Sequence, residues 1–158
     1  MKKHFVPLVL LIVLFTLLLT SCGTPAPTVD WEVSVTGAVS KPLTLSYKDL
    51  TKRDQVTLEQ LLMQKSHGED QINTWEGPAL AAILEEAGAS SNAVSLICTA
   101  ADGYAKEIPM ADLVDSIIAL KMDGKWIAGE EKGPIRLVVP SQPSDRWLFQ
   151  LTSIEVVE

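Results

Sequence analysis

The sequence predicts a single α+β domain, mostly β with two or three helices. Three observations carry this. The chain has 158 residues, 47% hydrophobic, enough for one compact core. Short runs of alternating apolar residues recur between Gly, Pro, Asn and Asp breaks, as strands do. Strand-like and helix-like stretches do not strictly alternate, which argues against a doubly wound parallel sheet.

"WEVSVTG" sets Trp31, Val33 and Val35 against Glu32, Ser34 and Thr36 and stops at Gly37, a half-buried strand that opens the domain. In "LTLSYKDL", Ser46 with Asp49 three residues on is an N-cap signal for one or two helical turns. "DQVTLEQLLMQKS" reads two ways: Thr57 with Gln60 mimics a capping box, while Val56, Leu58 and Leu62 fall at even, strand-like spacing. "GPALAAILEEAG" is the clearest helix, with Pro78 at its first position, Leu80, Ile83, Leu84 and Ala87 on one face, and Gly88 as its stop.

"AVSLICT" and "YAKEI" flank Asp102-Gly103 and should pair across that turn. Val94, Leu96 and Cys98 share a face by parity, so Cys98 is expected in the core rather than in chemistry. "MADLVDS" predicts a short helix, and "IIALKMDGKWIA" a hairpin turning at Asp123-Gly124. "PIRLVVP", "RWLFQ" and "SIEVV" read as three further strands.

The N-terminus is different in kind. Lys2 and Lys3 precede an apolar run from Phe5 to Leu19, the layout of a secretory signal too short for a comfortable membrane span. Its exit, Leu19-Thr20-Ser21-Cys22, resembles the bacterial lipoprotein signal, which implies cleavage after residue 21 and acylation of Cys22 by palmitate-type chains. Residues 1–21 would be the signal, 22–30 a lipidated tether of the sequence "CGTPAPTVD" and 31–158 the domain, held on the extracytoplasmic face of a cell membrane. Loss of Lys2 and Lys3 leaves 11 basic against 20 acidic residues, and the formal charge moves from −7 to −9. Nucleic acid is excluded as a partner by that charge and by the lack of a basic cluster.

The usual catalytic constellations are absent. Cys98 and His67 are too far apart for a structural zinc set, and His67 sits in the polar loop "QKSHGEDQ". Glu85-Glu86 and Glu130-Glu131 are adjacent rather than facing, and "GEEKGP" lacks the spacing of a phosphate loop. Trp31, Trp75, Trp126 and Trp147 serve as core anchors or line a stacking slot.

The order of "WEVSVTGAVSKPLTLSYKDL", "WEGPALAAILEEAG", "ADGYAKEIPMADL", "ALKMDGKWI", "KGPIRLVVP" and a final "IEV" resembles the molybdopterin-binding domain of the sulfite oxidase family over nearly all of residues 31–158. That resemblance implies a mixed, curved β-sheet and a strand at about 55–65. It also implies a site for molybdopterin, a pterin dithiolene carrying molybdenum, with Asp102, Gly103, Tyr104 and Arg136 among the matching positions. Enzymatic members also hold the metal through a cysteine in a "TLxC" strand, where this chain has Thr57-Leu58-Glu59-Gln60. A neutral amide cannot replace a soft thiolate on molybdenum. The chain also has three arginines, Arg53, Arg136 and Arg146, few for a site holding sulfite or a pterin phosphate. The expectation is a lipid-anchored module that binds a small ligand or partner protein without metal catalysis. The alternative is a molybdopterin-dependent oxidoreductase.

Overall fold

The structure, a computed structural model, describes residues 24–158; the lipoprotein signal and Cys22 lie outside the described residues. Among the described residues, eleven strands and two α-helices follow one another as β1 (Glu32–Gly37), β2 (Leu43–Ser46), α1 (Tyr47–Lys52), β3 (Gln55–Met63), β4 (Gln71–Pro78), α2 (Leu80–Ala87), β5 (Ser95–Ala100), β6 (Ala105–Pro109), β7 (Ile117–Ala119), β8 (Lys121–Met122), β9 (Lys125–Trp126), β10 (Arg136–Val138) and β11 (Leu151–Val157).

They form three sheets around one core. The largest has the order β2-β1-β11-β5-β6 and is mixed, because β1 and β11 run parallel while its other pairs are antiparallel. A four-stranded antiparallel sheet runs β3-β4-β8-β9, and β10 pairs with β7. Val33, Trp75, Leu96, Ile118 and Leu137, drawn from all three sheets, belong to one buried cluster. This is the α+β, mixed-sheet domain expected.

Local chemistry explains most boundaries. Ser46 and Asp49 complete a reciprocal capping box at the start of α1, each accepting from the other's backbone N–H. Gly88 ends α2 in the left-handed region, φ 62°, and its N–H donates back to the last turn. Gly77 has a different duty: a Cβ there would collide with the backbone of Ile118 and Ala119, so its absence lets β4 lie directly against β7. The Asp123-Gly124 turn has both residues at positive φ, 51° and 76°, which matches the right-handed twist of β8 and β9.

Five sequence expectations need correction. Pro78 ends β4 and Ala79 caps α2, because the backbone stays extended to bridge Ile117 of β7. "RWLFQ" is not a strand: Ser144–Arg146 form a 3₁₀ turn and only Phe149 bridges back, to Arg136. "MADLVDS" yields a single 3₁₀ turn at Met110–Asp112. Val94 lies outside β5 and is 59% exposed, while Leu96 and Cys98 are fully buried as parity required. The tether is not free, since Pro27 and Val29 are half-buried and the Trp126 indole N–H donates to the Thr24 carbonyl at 3.0 Å.

Candidate functional site

The inner face of the β3-β4-β8-β9 sheet forms one wall of a cleft of about 540 Å³. Residues on β4 alternate faces, so Gln71 and Trp75 point inward together, joined by Met63 across from Gln71 and Met122 across from Trp75. The opposite wall is the loop Glu130–Gly133 with Ser144 and Phe149. Lys65 and His67, from the β3–β4 connection, stand at the same cleft.

Arg136, the first residue of β10, lies at its base and is only 4% exposed. Its guanidinium carbon is 3.8 Å from the centre of Phe149, 5.1 Å from Trp75 and 5.4 Å from Trp147, an aromatic cage that offsets part of its desolvation. Trp75 and Trp147 meet edge to face at 6.0 Å, so the cage is rigid on that side. Among the described residues no carboxylate pairs with Arg136, and its Nε has no hydrogen-bond partner. Burial pushes its pKa down to about 10, still far above neutrality.

Trp75 leaves a second buried donor without an acceptor, its indole N–H. Two orphan donors line this cleft, whereas the orphan acceptor on the same strand, Asn73 Oδ1, lies outside its lining, so the cleft favours an acceptor-rich guest. Lys132, with its ammonium 4.9 Å from the Phe149 ring, adds a further cation, and Glu130 and Glu131 balance it at the rim. The cleft therefore suits a small molecule with an anionic end, a planar body and some positive or hydrogen-bonding edge.

Of the positions matched to the family's cofactor site, the structure brings Arg136 into the cleft and leaves Gln60, Asp102, Gly103 and Tyr104 outside its lining; Trp75, His67, Glu130 and Glu131, weighed in the sequence for other roles, line it too. Gln60 occupies the bulge where β3 slips against β4 between Leu58 and Leu61; its φ is 48°, its side chain is exposed, and its N–H donates to Thr74 Oγ1 at 3.3 Å. Asp102 and Gly103 form the exposed β5–β6 turn, with Asp102 Oδ1 accepting from the Tyr104 N–H at 2.9 Å. Tyr104 in turn donates its hydroxyl to the Asp145 carbonyl at 3.1 Å, next to Ser144, so this turn braces the cleft wall from behind. Cys98 is buried in β5 on the other sheet, where burial raises its thiol pKa to about 12.

Sequence reasoning missed Phe149, Lys65 and Lys132 as cleft residues, and offered Trp75 only as one of four tryptophans that anchor the core or line a stacking slot. The signal for Trp75 was present in "WEGPAL", but β4 was not read as a strand, so its inward face had no partner. No thiol lines the cleft among the described residues, and no group of three or more His, Cys, Asp or Glu gathers there or elsewhere in them. The donor set fits the phosphate-bearing, planar part of a pterin and includes no thiolate among the described residues.

A family model described as "Oxidoreductase molybdopterin binding domain" matches residues 22–158. The chain is 30% identical over 153 residues to the nitrate reductase [NADPH] of Aspergillus niger, an alignment covering 77% of this chain and 18% of that one. It is 26% identical over 123 residues to the uncharacterized oxidoreductase YuiH of Bacillus subtilis, covering 75% of this chain and 62% of YuiH. The chain thus spans less than two thirds of either relative. Among solved structures, the sulfane dehydrogenase SoxCD from Paracoccus pantotrophus shares the fold with a TM-score of 0.75 at 20% identity, over 85% of this chain and 40% of that one.

Proposed function

Because the chain belongs to the oxidoreductase molybdopterin-binding domain family, we propose that its cleft binds a small anionic molecule of the pterin-phosphate kind, without a protein thiolate to hold a metal. One observation carries this reading: Arg136 is buried at the base of the cleft, lacks a carboxylate partner and shares the site with an unsatisfied Trp75 N–H. An uncompensated buried cation is costly, and an anionic guest removes that cost on binding. A pterin dithiolene brings its own two sulfurs to a metal. Arg136, Lys132 and Lys65 would face the phosphate, and Trp75 and Phe149 the flat ring.

The module is further proposed to act at a membrane surface, as an extracytoplasmic lipoprotein anchored through acylated Cys22. The support is the sequence at Leu19-Thr20-Ser21-Cys22. No helix among the described residues is long and apolar enough to cross a membrane.

The names of the relatives favour a second reading, a molybdopterin-dependent oxidoreductase whose metal has no sulfur ligand from the protein. Purification of the full chain followed by elemental analysis and fluorescence of its oxidised pterin separates the two. The first reading expects a pterin, or another anion, without stoichiometric molybdenum. Molybdenum at one per chain together with reduction of an electron-accepting dye would replace it with the second.

A further inference from the structure

The described segment from Thr24 to the domain is held at several points. Trp126 holds the Thr24 carbonyl, Val29 packs against the core, and the Trp31 indole N–H donates to the Leu151 carbonyl at 2.8 Å. Cys22 stands two residues beyond the outermost of these fixed points. Two residues reach at most about 7 Å, so acyl chains at Cys22 would keep the β8–β9 hairpin at the bilayer surface instead of letting the domain swing on a long leash.

The face presented there has suitable chemistry. Cross-strand partners share a face, and the register Leu62↔Ile72, Glu76↔Lys121 and Lys121↔Trp126 puts these five on the side of the sheet opposite Trp75 and Met122. Leu62 and Ile72 are 45% and 64% exposed, a neighbouring apolar pair with nothing over it. Lys121 is neutralised by Glu76 at 2.5 Å and lies 4.6 Å from the Trp126 ring centre, so the middle of the face carries no net charge. The half-buried Trp126 indole, its N–H held by Thr24, lies beside a long lysine stem, and an indole with a neighbouring lysine is a pair favoured at the headgroup level.

We infer that the outer face of the β3-β4-β8-β9 sheet, centred on Trp126 with Leu62 and Ile72, is a membrane-contact surface. The cleft opens on the other side of that sheet, so its ligand arrives from the aqueous phase. This inference rests on the proposed acylation of Cys22.

The test uses the full chain made in a bacterium, purified from membranes and reconstituted in neutral phosphatidylcholine vesicles containing brominated lipid. Mass spectrometry of the N-terminal peptide reports acylation independently. The expected result is an acylated Cys22 and tryptophan emission quenched by the bromines, with most of that quenching lost in Trp126→Phe and reduced in Ile72→Glu. An acylated protein whose emission is unquenched, or equally quenched in Trp126→Phe, overturns the contact surface and leaves the anchor standing. A Cys22 peptide without acyl chains overturns the anchor and the surface with it.

Discussion

Arg136 and Cys98 are both buried titratable groups, yet their surroundings give them opposite roles. Arg136 is a cation among three aromatic rings with a free Nε, a burden that the proposed anionic guest would relieve. Arg136→Met keeps the length and removes the charge. It should abolish anion binding while leaving the fold intact or stabilising it by about 1 kcal/mol, a rise of ~2–4 °C in Tm. Calorimetric titration with inorganic phosphate and a thermal melt read the two effects separately; a loss of stability would mean the guanidinium is a structural part of the cage. The burden has a pH signature. Burial lowers this pKa from the ordinary guanidinium value to about 10, so the unfolded chain holds the proton more tightly, and the cost is full below pH 10 and relieved as pH climbs beyond it.

Cys98 is a small hydrophobe. Its folded pKa of about 12 lies above the ordinary 9.0, so the native thiol keeps a proton that the unfolded chain releases. The stability it contributes is complete below pH 9 and is lost as pH rises from there towards 12. In a Cys22→Ser background Cys98 should be inert to a thiol reagent at pH 8 until the protein is denatured. Adding Gln60→Cys supplies the contrast: the exposed bulge residue should react at once, change stability by no more than about 0.5 kcal/mol and bring no molybdenum with it, because its side chain faces solvent and not the cleft. Slow labelling at residue 60 would contradict that exposure.

At the scale of elements, the β8–β9 hairpin is tied to β4 through Asp123. Its carboxylate accepts from the Thr74 N–H and from the Asn73 amide, both at 2.8 Å, and Thr74 in turn accepts from the Gln60 bulge. These bonds, the backbone one first, lower the Asp123 pKa, so its contribution is present above the ordinary carboxylate value and fades as pH falls. Asp123→Ala removes both bonds and leaves φ 51° to a residue without the short polar side chain that tolerates it. A loss of about 2 kcal/mol at pH 7 is expected, with Asp123→Asn losing less; chemical denaturation measures both, and equal losses would remove the argument from charge. Gly77→Ala, by contrast, drives a methyl into the β7 backbone and should cost about 3 kcal/mol or prevent folding.

These elements also explain which parts of the fold were legible. The capping box at Ser46, the Gly88 stop, the Asp123-Gly124 hairpin and the face of α2 are local signals, each complete within a few residues. What stayed hidden depends on distant partners. β4 reads as a polar stretch because its inward residues, Gln71, Asn73 and Trp75, include two amides with distant roles: Gln71 lines the cleft and Asn73 donates to Asp123. "RWLFQ" has strand composition but spends its hydrophobes on the Arg136 cage. For the site, Arg136 was found through the resemblance; Trp75 and Trp147 were named as core anchors or a stacking slot but not joined to it, since an aromatic cage assembled from residues 75, 147 and 149 leaves no spacing to recognise. The position matched to a ligating cysteine turned out to sit in a bulge, a register shift that the sequence around Gln60 does not announce.

For the molecule as a whole, three sheets do not make three folding units. Trp75 of the β3-β4-β8-β9 sheet meets Trp147 at the head of the segment leading to β11, Ala79 bridges Ile117, and Arg136 bridges Phe149. A single buried cluster includes residues from every sheet, so opening one exposes the apolar face of the others. Cooperative, two-state unfolding is therefore expected, with coincident denaturant midpoints by far-UV circular dichroism and by tryptophan emission, the latter reporting chiefly on the Trp75–Trp147 pair. The weakest place is the β3–β4 hairpin, where β3 is an edge strand interrupted by the Gln60 bulge and exposing Leu62. Were it to open first, the emission midpoint would precede the dichroism midpoint. An anion bound at Arg136 joins that hairpin to β10 through Trp75, so phosphate should raise the emission midpoint at least as much as the other one. A phosphate effect confined to the dichroism transition would place the anion away from the cleft.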